Sequence, residues 1–102
     1  MVSLEKILKG NAMTSSLSNQ YLDEVRRRCE RATPEPWISF VEGRDFTSGD
    51  SVIGRGPNRS EEDLYLTGAT VADQDFIAHA RADIPILLSE IDRLRSLLGY
   101  QT

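Results

Sequence analysis

The last third of the chain has the most regular pattern of apolar positions. Five aliphatic residues recur there at spacings of three and four, at Ile84, Leu87, Ile91, Leu94 and Leu98. Such spacing places one side of an α-helix against a partner, as in coiled coils and helical bundles. We expect these residues to form a packing seam in the core that continues between subunits. The pattern therefore predicts a homo-oligomer assembled through the C-terminal helix.

A second helical pattern covers residues 18–32, where apolar residues such as Leu22 and Cys29 recur at helical spacing. Ser18 is a suitable N-cap, because its hydroxyl can accept a hydrogen bond from a backbone amide of the first turn. Pro34 follows the pattern and stops the helix, since proline disfavours the helical conformation of the residue before it. The inward register of Cys29 predicts a buried structural thiol.

Aromatic and β-branched residues alternate with turn-forming segments in the middle of the chain. They predict three strands joined as an antiparallel meander. The strands are expected at residues 37–41, 51–53 and 63–67. Trp37 opens the first strand, and we expect its ring to be buried against Phe76 or Leu87, because a small domain needs its large aromatic side chains in the core.

Two consecutive helices are expected after the sheet. Thr70 can cap the first, with Asp73 three residues later as its capping-box partner. Asp83 can cap the second, with Pro85 in the first turn, where its missing amide donor is harmless. The residues of the first of these helices that are expected to face inward are Ala72, Phe76, Ile77 and Ala80. The whole pattern predicts an α+β fold with an N-terminal helix, a small three-stranded antiparallel sheet and two consecutive C-terminal helices.

The first 16 residues differ from the rest of the chain. A short amphipathic turn near Leu8 is interrupted by Gly10 and by the polar residues that follow it. We expect residues 1–16 to be a flexible N-terminal extension or an added leader. Residues 17–102 are expected to form a single α+β domain.

Composition narrows the class of protein. The chain has 102 residues, a net charge of -4 and one cysteine. A domain of this size leaves much of its surface exposed, and association is one remedy for marginal stability. The acidic balance makes nucleic acid an unfavourable partner, since basic residues hold a phosphate backbone. No apolar run approaches the roughly 20 residues that span a bilayer. We therefore expect a cytoplasmic protein with no membrane contact and no cofactor.

Two stretches of the chain resemble a family of small phage and prophage accessory proteins. Residues 28–37 contain Ala-Thr-Pro-Glu-Pro-Trp, and residues 72–85 contain Phe-Ile-Ala-His-Ala-Arg-Ala-Asp-Ile-Pro, followed by a Leu-Leu-x-Glu-Ile-x-Arg-Leu tail. The family usually has glycine where Glu35 stands. The resemblance covers residues 21–98 and implies a helix, a short β region and a helical close, in a phage or mobile-element setting. Some small phage proteins of this size are oligomers that sequester host nucleotide signals or inhibit defence proteins.

Two polar loops, residues 42–50 and 54–60, contain the candidate ligand-binding residues. These are Arg44, Arg55, Asn58 and Arg59. Guanidinium groups offer forked donors to phosphate or carboxylate, and glycines let a backbone approach a ligand closely. We expect both loops at the open end of the meander, where their arginines form a shared anion-binding surface. Because the second loop lacks the lysine of a phosphate-binding loop, a plain hairpin turn is the alternative.

The alternative chemistry is on the helix after the sheet. Asp73, Asp75 and His79 could surround a divalent ion in a small metal-dependent nucleotide hydrolase. One helix seldom supplies enough converging ligands, so we assign no catalytic residue and no metal ligand. The predicted function is a non-enzymatic, homo-oligomeric phage or prophage accessory protein. It is expected to bind and sequester an anionic ligand, such as a host-defence nucleotide signal, or a host protein.

Overall fold

Two helices and a three-stranded antiparallel sheet make up the part of the chain that the computed structural model describes, residues 17–99. The sheet order is β1-β2-β3, and a turn of 3-10 helix, Pro57–Arg59, joins the last two strands. The elements are α1 (Asn19–Arg31), β1 (Trp37–Phe40), β2 (Val52–Arg55), β3 (Glu61–Tyr65) and α2 (Val71–Leu97). The predicted α+β fold and meander are confirmed. The predicted extension over residues 1–16 lies outside the described residues.

Helix α1 begins as the sequence predicts. The hydroxyl of Ser18 accepts a hydrogen bond of 3.0 Å from the backbone amide of Tyr21, which satisfies a donor that the helix itself leaves free. The helix ends at Arg31, just before the proline-containing turn. Leu22 is buried and Cys29 is half-buried, so the predicted inner face is confirmed, although the Cys29 thiol is less enclosed than predicted.

Helix α2 is continuous, so the prediction of two consecutive C-terminal helices is wrong. It spans 27 residues and contains Pro85 in its interior. An interior proline costs roughly 3 kcal/mol, because one hydrogen bond is lost and the ring crowds the preceding turn. Tertiary contacts lie on both sides of the proline, from Gln74 to β1 and from Arg95 to the start of α1. Asp83 therefore lies inside a helix and caps nothing, whereas the capping box of Thr70 and Asp73 is confirmed.

The strands begin and end at different residues from those predicted. β2 extends through Gly54 and Arg55, which the sequence had placed in a loop, and β3 starts at Glu61. A register shift between Ile53 and Arg55 places one extra residue in β3, which is a β-bulge. Gly54 fits this position because a Cβ atom there would lie 2.9 Å from the Nε atom of Arg59. The glycine thus leaves room for an arginine of the same chain.

The core lies between the sheet and the two helices. Ile53 is fully buried at the centre of β2, where it pairs with Ser39 of β1 and Leu64 of β3. The other buried apolar residues are Leu22, Val41, Val52, Ala78 and Leu88. Because this core is small, the polar contacts of α2 matter for how the elements are held together.

Helix α1 packs antiparallel to α2. At its start, the Asn19 Oδ1 atom accepts a hydrogen bond of 2.8 Å from the Nη1 atom of Arg95, and the backbone carbonyl of Leu17 accepts another from Nη2. Further along, Arg26 pairs with Asp92. The start of α1 therefore lies beside the last turns of α2. Within residues 17–99, neither helix combines the length and the apolarity needed to cross a bilayer.

The face of α2 that packs against the chain is not the predicted one. Gln74, Ala78, Leu88 and Arg95 are buried, whereas Phe76 is 74% exposed. Of the four residues expected to face inward, Ala72, Phe76 and Ile77 are exposed and Ala80 is half-buried. The polar residues of the inward face are hydrogen-bonded: the Gln74 amide donates to the backbone carbonyls of Phe40 and Val52, at 3.1 and 2.9 Å.

The predicted seam is likewise absent from the core of the single chain. Ile84, Leu87, Leu94 and Leu98 are exposed and Ile91 is half-buried. The expectation that these residues form the main intrachain core is wrong, because hydrogen bonding and Leu88 orient the neighbouring face of α2 inward. Their role between subunits stays a prediction.

Candidate functional site

The two sequence motifs of residues 28–37 and 72–85 meet at Thr33. Its backbone carbonyl accepts hydrogen bonds of 2.9 Å from the indole Nε1 of Trp37 and from the Nε of Arg81. Its hydroxyl accepts a third, also 2.9 Å, from the Nη1 of Arg55. We call this arrangement the Thr33 junction. It ties the end of α1 to β1, β2 and the middle of α2.

A groove of about 410 Å³ lies beside the Thr33 junction, between α1 and α2. We call it the Trp37 groove. Its apolar lining includes Tyr21, Val25, Cys29, Trp37, Ile77 and Ile84. Because the Trp37 ring forms part of this open surface, it is half-buried rather than buried. Leu87 and Phe76 are exposed and do not line the groove, so the predicted packing of the ring against one of them is wrong.

The charged side chains of the Trp37 groove are both cationic. Arg28 and Arg81 line it, and no carboxylate does. Arg81 uses its Nε atom at the Thr33 junction, and its Nη1 atom lies 3.8 Å from the exposed carboxylate of Glu35. Arg28 makes no side-chain hydrogen bond or ion pair within the described residues. The groove therefore combines an apolar floor with two guanidinium groups.

Arg44, the first predicted ligand-binding residue, ties the β1–β2 connection to α2. Its Nη1 and Nη2 atoms donate to both carboxylate oxygens of Asp75, at 2.8 and 3.1 Å, and its Nε donates to Asp45 at 3.0 Å. The hydrogen bonds from Arg44 lower the pKa of Asp75 to about 2, from an ordinary 3.8. They also lower the pKa of Asp45 and raise that of Arg44. The forked donors of Arg44 thus already hold two carboxylates of this chain.

Arg55 is the last residue of β2, and its side chain binds the backbone of β3 at the β-bulge. Its Nε and Nη2 atoms donate to the backbone carbonyl of Glu62, at 3.0 and 2.8 Å. Its guanidinium carbon lies 5.9 Å from the centroid of the Trp37 ring, close enough for a cation–π contact. Together with the bond to Thr33, these contacts give Arg55 a structural position between β3 and the Thr33 junction.

Arg59 lies across the face of the sheet opposite α2. Its guanidinium carbon is 4.4 Å from the centroid of the Phe40 ring, and its Nε and Nη2 atoms donate to the Asp63 carboxylate at 2.9 and 2.7 Å. The hydrogen bond lowers the pKa of Asp63 and raises that of Arg59. The backbone of Arg59 is left-handed, with φ of 56°, as is that of Asn58. The contacts with Phe40 and Asp63 stabilise the position of this side chain, although arginine seldom adopts a left-handed backbone conformation.

Two clefts flank the Arg59 side chain. One, of about 580 Å³, lies towards Phe46 and Tyr65, and the other, of about 330 Å³, towards Ile38 and Asn58. Two of the predicted ligand-binding residues, Asn58 and Arg59, therefore line a common cleft. We call this region the Arg59 face.

The expectation of one shared surface for Arg44, Arg55 and Arg59 is wrong. In the antiparallel register Phe40 pairs with Val52 and Trp37 pairs with Arg55. The β1–β2 and β2–β3 connections consequently leave from opposite ends of the sheet, as successive hairpins of a meander must. Only the length of the Arg59 side chain brings one loop residue back over the sheet.

The three residues of the hydrolase alternative have separate roles. Asp73 completes the helix cap, Asp75 holds Arg44, and His79 is exposed. Within the described residues, no group of three histidine, cysteine or acidic side chains is placed to hold a metal ion. The arrangement around His79 therefore gives no geometric support to metal-dependent hydrolysis.

Sequence reasoning missed the residues that organise the Thr33 junction. Thr33 and Arg81 lie inside the two motifs that carry the family resemblance. The motifs mark these residues, but they do not indicate that the two are in contact. Gln74 gave no signal, because a polar residue on a helix is ordinarily assigned to the solvent side. Arg28 lies in the last turn of α1, at the negative end of the helix dipole, where an arginine is ordinarily solvated, and only the neighbouring groove gives it another role.

Comparison with known proteins adds no assignment. No family model, curated protein or solved structure matches this chain. Three features of the described residues bear on function: the exposed seam of α2, the Arg59 face and the Trp37 groove.

Proposed function

We propose that this protein is a non-enzymatic, homo-oligomeric binding protein that assembles through α2. The observation that carries the proposal is the exposure of Ile84, Leu87, Leu94 and Leu98 along one side of that helix. Contiguous exposed apolar surface on a small protein commonly marks an interaction site. A second copy supplies an identical apolar stripe, so the surface is its own complement.

The spacing of the seam favours two parallel helices. Ile84, Ile91 and Leu98 occupy one position of a seven-residue repeat, and Leu87 and Leu94 occupy the other core position. Isoleucine at the first position with leucine at the second favours a parallel two-stranded coiled coil. The repeat from Ile84 to Leu98 extends for roughly 21 Å of helix, at 1.5 Å per residue. A dimer is therefore the assembly that the seam supports best.

Native mass spectrometry and sedimentation equilibrium of the full-length protein test this assembly. We expect a species of twice the 11.4 kDa mass of one chain, and a melting temperature that rises with protein concentration, because association stabilises the folded state by mass action. A single 11.4 kDa species at every concentration, with a melting temperature that does not change, would contradict the proposal.

The ligand that the assembly captures is proposed to be anionic and to bind at the Arg59 face. Arg59 retains donors for a ligand, since its Nη1 atom makes no hydrogen bond within the described residues. Phe40 lies under the guanidinium, and Asn58 lies at the edge of one cleft. A planar, negatively charged ligand such as a nucleotide matches these groups in the smaller cleft, whereas three aspartates, Asp45, Asp50 and Asp63, line the larger one. The resemblance to phage and prophage accessory proteins supports a host-defence setting for such capture.

Calorimetric titration with a cyclic dinucleotide, and separately with inorganic phosphate, tests the Arg59 face. Arg59→Ala is expected to weaken dinucleotide binding about tenfold or more, as loss of a charge-assisted hydrogen bond does. Arg93→Ala is the matched control, because Arg93 also forms an exposed ion pair, with Glu90, but lies on α2. Unchanged binding by Arg59→Ala, or no binding by the wild type, would exclude the Arg59 face and leave a host protein as the proposed partner.

A further inference from the structure

We infer that the Trp37 groove binds an apolar carboxylate, that is, a small molecule with an aliphatic or aromatic body and one carboxylate group. This site is separate from the Arg59 face and shares one residue, Ile84, with the seam of α2. The inference rests on the shape of the groove, its apolar lining and the charge of its polar groups.

The size and lining of the groove fit a small apolar body. Its volume of about 410 Å³ lies within the range of roughly 300–1,000 Å³ that is usual for ligand sites. Trp37, Ile77 and Ile84 form its apolar floor. A hydrocarbon or aryl group that entered the groove would cover apolar surface now open to water.

The charge of the groove selects the head group. Arg28 and Arg81 are its charged residues, whereas the cleft between the start of α1 and the end of α2 balances Arg26 and Arg95 with two aspartates. The Arg28 side chain has no ion-pair or hydrogen-bond partner within the described residues. The groove thus has a local excess of positive charge in a chain of net charge -4, and a carboxylate would complement it.

The Thr33 junction gives the groove a defined wall. One carbonyl oxygen accepts hydrogen bonds from both Trp37 and Arg81, so the indole ring and the Arg81 stem are held before a ligand arrives. A wall that is ordered in the free protein reduces the conformational entropy lost on binding. The Arg28 side chain, which is exposed and has no partner among residues 17–99, is then the group that binds the carboxylate.

Trp37 is the only tryptophan of the chain, so its fluorescence reports on this groove directly. Octanoate added to the full-length protein is expected to change the Trp37 emission in a saturable way. The matched neutral probe is 1-octanol, which has the same chain without the charge. We expect octanol to bind at least about tenfold more weakly, because it cannot form the charge-assisted contacts.

Two variants separate charge from packing. Arg28→Gln is expected to weaken octanoate binding about tenfold while leaving octanol binding unchanged. Arg27→Gln removes the same charge from the neighbouring exposed position, which does not line the groove, and should bind octanoate as the wild type does. Circular dichroism checks that both variants keep the fold.

Three results would overturn the inference: no saturable change with octanoate, equal affinity for octanoate and octanol, or equal octanoate affinity of the two variants. Native mass spectrometry of the same samples reads the oligomeric state independently. A dimer without octanoate binding would refute this inference alone, and octanoate binding by a monomer would refute only the proposed assembly.

Discussion

The two faces of α2 reverse the usual distribution of polar and apolar residues. Facing the chain, Gln74 and Arg95 are 2% and 8% exposed, whereas on the adjacent seam Leu87 and Leu98 are 59% and 74% exposed. Buried polar groups are stable only when they are hydrogen-bonded, and both of these are. The inward face is therefore specified by hydrogen-bonded polar groups together with the buried Leu88, and the outward face presents apolar surface that a second copy can cover.

The largest effect should come from the apolar residue that anchors the inward face. Leu88→Ala is expected to cost about 2–5 kcal/mol of unfolding free energy, as truncation of a buried leucine does. Leu87→Ala is the matched control, because it is the same substitution one position away on the exposed seam. At protein concentrations where the chain is monomeric, it should cost no more than about 0.5 kcal/mol. Urea denaturation measures both, and equal costs would remove the distinction between the faces.

A smaller effect should follow from the polar part of the inward face. Gln74→Met keeps much of the side-chain volume but removes the amide that donates to Phe40 and Val52. We expect a loss of about 1–3 kcal/mol, because buried carbonyls lose their partner. Denaturant unfolding measures the loss. A stabilised variant would mean that packing, and not hydrogen bonding, selects this face of α2.

The stability that Asp75 contributes at the edge of the inward face should depend on pH. In the folded state the Arg44 hydrogen bonds lower the pKa of Asp75 to about 2, whereas the ordinary pKa of an aspartate is 3.8. Its pairing with Arg44 therefore adds stability that is complete above about pH 4–5 and is lost as the pH falls through 2. The difference in melting temperature between the wild type and Asp75→Asn should shrink over that interval. Asp83→Asn, an exposed carboxylate of the same helix, should give a small difference without this trend.

Local signals along the chain were sufficient for the elements of the fold. The hydroxyl of Ser18 and the capping box of Thr70 and Asp73 mark helix starts through contacts between near neighbours. The three strands follow from β-branched and aromatic residues between turns. Pro85 misled the prediction, because tertiary contacts on both sides of a proline can keep a helix continuous, and no local pattern reports them.

Local signals do not indicate which way a helix face points or which distant residues bond to each other. Periodicity predicts that α2 has an apolar side, but it does not decide whether that side meets this chain or another. The Thr33 junction joins residues 48 positions apart, Thr33 and Arg81, and arises only when the whole fold is assembled. The same holds for Arg44, whose acidic partner Asp75 lies 31 positions away. Neither contact could be predicted from the sequence alone.

The most direct test of the central claim compares two aspartate substitutions at adjacent positions of α2. Leu87 and Ile86 are 59% and 64% exposed, but they lie about 100° apart around the helix, so only Leu87 belongs to the seam. Native mass spectrometry should show a dimer for the wild type and for Ile86→Asp, and a folded monomer for Leu87→Asp. The account is contradicted if Leu87→Asp stays dimeric, or if both variants dissociate equally.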